Sequence, residues 1–295
     1  MGIQVGSLVL AVLLGGLSVP ASVAAQVPSA DEIARGKYVF GATGGCGCHT
    51  IPKQPVNAGG RKYEGPFGTV YASNITPDRE TGIGGWTDEQ IITAIRLGRR
   101  SNGERLVPVH PYTVFNGMAA DDVKALVAFL RTVPAVKRAN QPKKTIPMFE
   151  SVLLPAWLAA FAPKETPPTT VPTSGAARGE YLVRAVAHCG ECHTPRTMTM
   201  ATDNSRFLAG TPKGPEDSVV PNITPDPATG LTWSEEQIAD YLATGNKPDG
   251  DVAGGLMGEM IEGTLAGYKD MTKADRLAIA QYLKTIPAVK NKIGN

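Results

Sequence analysis

Cysteine is scarce in this chain: 295 residues contain only four, all in two clusters, Cys46 with Cys48 and Cys189 with Cys192. None remains to staple a loop elsewhere, which excludes a disulfide framework. Histidine is equally rare, with four residues at His49, His110, His188 and His193. An excess of one charge is also missing. The 29 basic and 27 acidic residues leave a net charge of +2, and no dense Lys/Arg run offsets that balance, which argues against a nucleic-acid partner. Sustained apolar/polar alternation is absent too, so strand content is expected to be minimal.

No apolar run reaches the roughly 20 residues of a membrane-spanning helix. The longest, Ser7 to Leu17, is broken by Gly15 and Gly16. It reads as the h-region of an export signal over residues 1–25, with Val23-Ala24-Ala25 providing small residues for cleavage before Gln26. No Lys or Arg precedes Arg35, so the n-region carries only the terminal amine. An uncleaved anchor is the second reading. With the segment removed, no transmembrane anchor is expected, and the protein would be periplasmic.

What is present centres on Cys189-Gly190-Glu191-Cys192-His193. Two thiols three positions apart, followed at once by an imidazole, form the C-x-x-C-H pattern of covalent haem attachment. Each cysteine forms a thioether to a haem vinyl group, and the histidine reaches the iron as an axial ligand. A redox dithiol or half of a zinc site would not need His193, and no second C-x-x-C completes a zinc set. Export fits this chemistry, since the thiols then meet an oxidising environment. A shortened version, Cys46-Gly47-Cys48-His49, lies upstream.

The chain is one module used twice. Ala34-Arg35-Gly36-Lys37-Tyr38 returns as Ala177-Arg178-Gly179-Glu180-Tyr181, and Asn74-Ile75-Thr76-Pro77-Asp78 as Asn222-Ile223-Thr224-Pro225-Asp226. Trp86 is matched by Trp233, and Thr132-Val133-Pro134-Ala135-Val136 by Thr285-Ile286-Pro287-Ala288-Val289. Four landmarks repeated in order mark a duplication. The expected organisation is residues 1–25 signal, 26–136 first domain, 137–172 linker with a short apolar helix, and 173–295 second domain. Ser29 with Glu32, Thr87 with Gln90, and Ser234 with Gln237 have the form of capping boxes. Asp121 and Asp122 suit the first turn of a later helix. That helix carries Val123, Leu126, Val127 and Leu130 on one face, as Ile279, Ala280, Leu283 and Ile286 do in the second copy. Pro134 and Pro287 would end those two helices. Gly36 and Gly179 are expected to let the last helix of each copy cross closely, packed at Phe129 and Tyr282, because an idle mid-helix glycine costs about 1 kcal/mol.

The linker has Pro/Thr-rich ends but an apolar middle, Phe149 to Phe161, with Trp157 at helical spacing. A free linker would not carry these residues. It reads as a helix holding the two domains in orientation, or alternatively as a docking patch for a partner. Arg96, Arg99, Arg100 and Arg105 read as a solvated helix end, or as partners for haem propionates or an acidic protein.

With these motifs in order, the chain resembles periplasmic dihaem and multihaem cytochromes c. It is most similar to the cytochrome subunits of membrane-associated quinoprotein alcohol dehydrogenases. The resemblance covers Asp31 to Val289 and implies an all-α fold of two tandem cytochrome c-like domains, each enclosing one covalent haem c. It also implies that Asn74, Trp86, Asn222 and Trp233 lie at the haem edges. The alcohol dehydrogenase subunits usually have three haem modules and a C-terminal membrane segment, whereas two modules are expected here without that anchor.

The resemblance extends to the distal iron ligands. Met257, in Gly255-Leu256-Met257-Gly258-Glu259, matches the family's ligand position, with Met260 as competitor. In the first module the family has Pro-x-Met-Pro-Tyr, and this chain has Pro108-Val109-His110-Pro111-Tyr112. His110 is therefore the expected distal ligand beside His49, with Met118 as runner-up. His188 is expected at the surface or packed at a haem edge. Imidazole donates more strongly than thioether and favours Fe(III), so the His49/His110 haem should have the lower potential.

Counting from Tyr38 and Tyr181, the residue missing from the first motif falls between its cysteines, where Gly47 permits φ > 0. Attachment through both cysteines, attachment through Cys48 alone, and a haem-free module with a Cys46–Cys48 disulfide all remain open. The function expected is an exported dihaem relay from a periplasmic dehydrogenase to a cytochrome or oxidase acceptor, without its own substrate chemistry. A dihaem peroxidase or thiosulfate-oxidising enzyme with a labile first distal site is the alternative. A structural, haem-bearing assembly is a third class.

Overall fold

The computed structural model describes residues 1–2, 27–45, 47–162 and 166–293. The expected signal segment lies almost wholly outside the described residues, as does Cys46. Among them no helix is long and apolar enough to cross a membrane.

The chain folds as helices with little sheet. The first half contains α1 (Ala30–Ala42), a hairpin of β1 (Lys62–Gly65) and β2 (Gly68–Tyr71), then α2 (Asp88–Leu97), α3 (Tyr112–Phe115) and α4 (Ala120–Leu130). Ser29 Oγ accepts from Glu32 N and starts α1. Thr87 and Gln90 form a full capping box on α2, which ends at Gly98 in a left-handed conformation. The apolar stripe of α4 is buried as expected: Val123, Leu126, Val127 and Leu130 are all in the core.

α1 and α4 cross at Gly36. A Cβ there would lie 1.9 Å from the Ala125 carbonyl oxygen and 2.7 Å from Phe129 Cβ. Only glycine allows this approach, and the crossing brings Phe40 against Phe129, ring centroids 5.2 Å apart. Strand content is minimal, as expected, and confined to one small sheet among the described residues. β1 pairs with β2 antiparallel, Lys62 opposite Tyr71, and β2 pairs with β3 (Lys144–Thr145). The hairpin is short enough to form on local turn chemistry at Gly65-Pro66-Phe67-Gly68, without the long alternation a larger sheet requires.

Through β3, Lys144 and Thr145 of the expected linker pair with the first-half strand β2. The apolar middle of the linker then forms one wide turn, Phe149–Leu153, leading into α5 (Leu154–Phe161). Phe149 packs on Phe67 of the hairpin at 6.2 Å. Trp157 Nε1–H donates to Thr199 O at 2.7 Å. The linker thus touches both halves, the first through its wide turn and the second through α5.

The second half repeats the plan with α6 (Gly175–Tyr181), which runs on through a wider turn to Val186, then α7 (Gly190–His193), α8 (Glu235–Thr244), α9 (Gly255–Glu262) and α10 (Lys273–Thr285). Gly179 meets α10 as Gly36 meets α4: an added Cβ would lie 1.8 Å from Ala278 O and 2.8 Å from Tyr282 Cβ. The Ser234–Gln237 capping box opens α8. Ile279, Ala280, Leu283 and Ile286 are buried.

The two halves share one continuous apolar core and a reciprocal polar seam. In the first half Arg35 grips Asp122 at 2.8 Å, and in the second Arg178 grips Asp275 at 2.7 Å. Each carboxylate also accepts a hydroxyl from the opposite half: Tyr181 donates to Asp122 and Tyr38 to Asp275, both at 2.5 Å. The same two hydroxyls accept Ala119 N–H and Thr272 N–H. Burial alone would raise the Asp275 carboxyl, but Arg178 and Tyr38 outweigh it and hold the group below the usual carboxylate range. A cavity of about 450 Å³ lies between these clusters, away from the Cys–His motifs.

Candidate functional site

The NITPD loops and the segments after α4 and α10 are clasped together. Asn74 Nδ2 donates to Val136 O at 2.8 Å while its Oδ1 accepts from Thr76 N–H and Oγ1–H. Asn222 does the same with Val289 O and Thr224. These two buried amides are engaged by the protein itself, which explains why the NITPD and Pro-Ala-Val motifs recur together. Asp78 and Asp226 tighten the same loops through Thr81 and Thr229.

The clasped loop presents a carbonyl to each motif histidine. His49 Nδ1 lies 2.7 Å from Ser73 O, and His193 Nδ1 lies 2.9 Å from Pro221 O. Against a carbonyl, Nδ1 must carry the proton and donate, so Nε2 is the free lone-pair nitrogen. Metal-binding histidines are oriented in this way, by a hydrogen bond from the other ring nitrogen. Burial lowers the pKa of both imidazoles, which keeps that lone pair available.

His49 faces His110 with ring centroids 6.5 Å apart and planes at 78°. Two imidazoles bound on opposite sides of one metal ion, each through a bond of about 2 Å, have centroids roughly 6.3 Å apart. Burial, and then the neighbouring His49, push the His110 pKa down to about 3, while the Ile95 and Ala94 carbonyls at the end of α2 act the other way as its hydrogen-bond acceptors. The loop between Pro108 and Pro111 is seated by Tyr112, whose ring packs on Gly98 where any Cβ would clash. The runner-up, Met118, is fully buried in the core beside α4.

In the second half Cys189, Cys192 and His193 share the single turn of α7 and its entry. Cys189, Cys192 and Cys48 carry free thiols. Burial pushes the Cys189 and Cys192 thiols up to about 12, unlike the depressed pKa of a reactive redox dithiol. Among the described residues no group of three His, Cys, Asp or Glu is arranged to hold a metal ion. Met257 and Met260 both lie on α9, part-buried on the core. The Met260 thioether is taken up against Gly44 of the first half, where a Cβ would fall 2.3 Å from its sulfur. Met257 is free of that contact.

Trp86 and Trp233 pack against the core from its margin. Of the arginine cluster, Arg100 lies over Trp86 at 5.9 Å and donates to Ser73 Oγ at 2.9 Å, while Arg96 donates to Asn116 O. Only Arg99 is exposed as a solvated helix end would be.

Several residues around the site escaped sequence reasoning. Arg61 ties the first motif to the second half, donating to Glu259 at 2.6 Å, Glu216 at 2.8 Å and Gly47 O at 3.4 Å. Thr264 Oγ1–H donates to Gly45 O. His188 is packed rather than free at the surface, with its ring on Phe115. Asn57 is buried and neither polar atom of its side chain has a partner, although its backbone pairs with Thr50 Oγ1 and Ile75 N–H. Leu208 occupies the same place in the second half, with the same backbone bonds. An orphaned buried amide costs about 1–3 kcal/mol. The imidazole pair at metal-bridging distance, the two oriented Nε2 atoms, the protonated thiols and this orphaned amide together fit a covalently held haem.

The comparisons with known proteins agree with that chemistry. A family model described as cytochrome c matches residues 176–287, the half with the regular C-x-x-C-H. The chain is 38% identical over 276 residues to the diheme cytochrome c-type protein of Cereibacter sphaeroides, covering 88% of this chain and 87% of that one. It is 37% identical over 285 residues to the fructose dehydrogenase cytochrome subunit of Gluconobacter japonicus, covering 94% of this chain and 57% of the subunit. With the cytochrome c subunit of the quinone alcohol dehydrogenase of Gluconobacter oxydans it shares 36% identity over 280 residues, covering 90% and 57%. The chain thus spans just over half the length of those two subunits. With oriented imidazoles, a C-x-x-C-H turn and relatives matched along most of its length, this chain belongs to the cytochromes c and is similar to the cytochrome subunits of quinone-linked dehydrogenases.

Proposed function

We propose that the protein is an exported dihaem electron relay, with one haem c in each half. Cys189 and Cys192 would hold one haem through thioethers, with His193 and Met257 as its iron ligands. Cys48, with or without Cys46, would hold the other, with His49 and His110 as its iron ligands. The observation that carries this reading is the His49–His110 ring pair, which has the separation a single iron requires and a desolvated, neutral donor on each side.

Bound haem supplies a reversible Fe(III)/Fe(II) couple. The protein supplies everything else. Ser73 O and Pro221 O fix the tautomers of His49 and His193, and the α2 carbonyls Ala94 and Ile95 hold the His110 ring. The Met260 contact with Gly44 leaves Met257 as the thioether for the second site. With imidazole from His110 for one haem and thioether from Met257 for the other, the first site would lie below the second in potential, which would favour transfer from first to second. Trp86, Trp233 and the clasped Asn74 and Asn222 loops stand at the haem edges in this reading. Dehydrogenases of the kind named by the relatives, acting on fructose or alcohols, would feed the first site, and a cytochrome or oxidase would drain the second.

The rival reading, a peroxidase or thiosulfate-oxidising enzyme, needs an open distal position on the first haem. The buried, hydrogen-bonded His110 ring weighs against it. Intact-mass analysis of the exported protein should show two haem additions, and paramagnetic resonance should show one bis-imidazole and one imidazole–thioether low-spin haem. A single haem addition, or a five-coordinate haem that binds carbon monoxide in the ferrous state, would overturn the relay. Alkylation of Cys46 in the two-haem protein would establish one-point attachment.

A further inference from the structure

The halves meet again where the second attachment motif begins. His188, just before Cys189, has φ +44°, in the left-handed region that residues other than glycine seldom enter. Its counterpart in the first half is Gly45, at φ +66°. The duplicated position therefore holds glycine once and, against the backbone preference, an imidazole once. That imidazole is built into the seam. Its Nδ1 lies 3.2 Å from Val186 O, and its ring meets the Phe115 ring of the first half edge-on, centroids 5.3 Å apart at 75°. Phe115, at the end of α3, lies 5.6 Å from the His110 ring, and His110 faces His49. Rings at these separations are in edge or face contact. An unbroken series of aromatic rings thus runs from the paired imidazoles of the first site to the residue one peptide bond from Cys189.

We propose that Phe115 and His188 are the route by which an electron crosses from the first haem site to the second. This rests on the reading in which His110 binds iron and Cys189 binds haem. One electron leaves Fe(II) at the His49–His110 site, which becomes Fe(III), and reduces Fe(III) at the His193 site to Fe(II). No bond is made or broken and no proton moves. Electronic coupling falls steeply across saturated groups and gaps, and the two rings replace both with contacting π systems.

The competing crossing is Tyr268, the counterpart of Phe115. It is buried and donates its hydroxyl to Ala187 O at 2.9 Å. It makes no ring contact among the described residues, so no ring series leads into or out of it.

The test uses the two-haem protein, rapidly photoreduced by a flavin and followed at wavelengths that separate the haems. Phe115→Leu and His188→Leu should each slow internal transfer about tenfold. The paramagnetic resonance spectra and midpoint potentials of both haems should stay at their wild-type values, and Tyr268→Phe should leave the rate unchanged. His188→Leu serves where Phe115→Leu disturbs the seating of His110, since His188 touches no ligand of the first iron in this reading. Wild-type transfer rates in both leucine variants with intact spectra, or slowing confined to Tyr268→Phe, would overturn the route while leaving the dihaem reading standing. A wild-type spectrum without the bis-imidazole haem would overturn both.

Discussion

The two halves keep the same scaffold and differ in what they place around the site. Both have a glycine where the first and last helices cross, an asparagine clasp on the NITPD loop, a capping box on the middle helix and an Arg–Asp pair bound by the other half's tyrosine. Where the first half has C-x-C-H, His110, Asn57 and Gly45, the second has C-x-x-C-H, Met257, Leu208 and His188. The retained positions are those where geometry leaves little choice: a Cβ at Gly36 or Gly179 would overlap backbone. The altered ones face the proposed haems or the seam, where a new side chain changes chemistry without moving helices. In the proposed reading, one frame thus holds two redox environments.

The comparison can be broken most strongly at the distal ligand. His110→Met should make the first site like the second and raise its potential, on the order of 0.2 V. Spectroelectrochemical titration would then give two nearly coincident midpoints, and an unchanged low midpoint would remove His110 from the iron.

The seam offers a second test. Asp275→Ala leaves Arg178 buried without its carboxylate and Tyr38 without its acceptor, and should cost about 3 kcal/mol in denaturant titration. Asp122→Ala should cost less, since Arg35 is half exposed and can turn to water, whereas Arg178 is largely covered. The Asp275 carboxyl is depressed in the folded state, so its contribution is complete above about pH 4 and lost as the pH falls through the folded value. The stability gap between wild type and Asp275→Asn should therefore narrow in acid, and a gap constant down to strong acid would exclude this linkage.

Smaller effects are expected where the halves agree. Gly36→Ala and Gly179→Ala should each cost about 2 kcal/mol by forcing the helices apart, and by similar amounts. A cost confined to one half would mean that the two crossings carry different loads. The smallest effect concerns Asn57. In the haem-free chain Asn57→Leu, copying Leu208, should stabilise by about 1 kcal/mol, because it removes an unpartnered buried amide. A loss instead would show that the amide is satisfied in solution.

Much of this was legible in the sequence. The repeat, the caps, the buried stripe of α4, the glycine crossings and the attachment motif depend on residues close together in the chain or recurring at matched positions. The hairpin was not legible, since its strands are too short to show alternation. Arg61 and Phe115 carried no signal of their own, as an isolated arginine and a helical phenylalanine read as surface and core. His188 read as a surface or haem-edge residue, and its proposed role rests on the strain at its backbone together with the ring it meets.

The sequence by itself determined the family chemistry and the twofold plan, because covalent haem attachment and helix formation are written in short spacings. The tertiary structure decided what no spacing encodes. It set the 6.5 Å between His49 and His110, which are 61 positions apart in the chain, and the exchange of Tyr38 and Tyr181 across the seam. It also separated Met260 from Met257 by packing the former against Gly44. Each of these is a distance between segments remote in sequence, and such distances are fixed only when the shared core closes and brings the halves together.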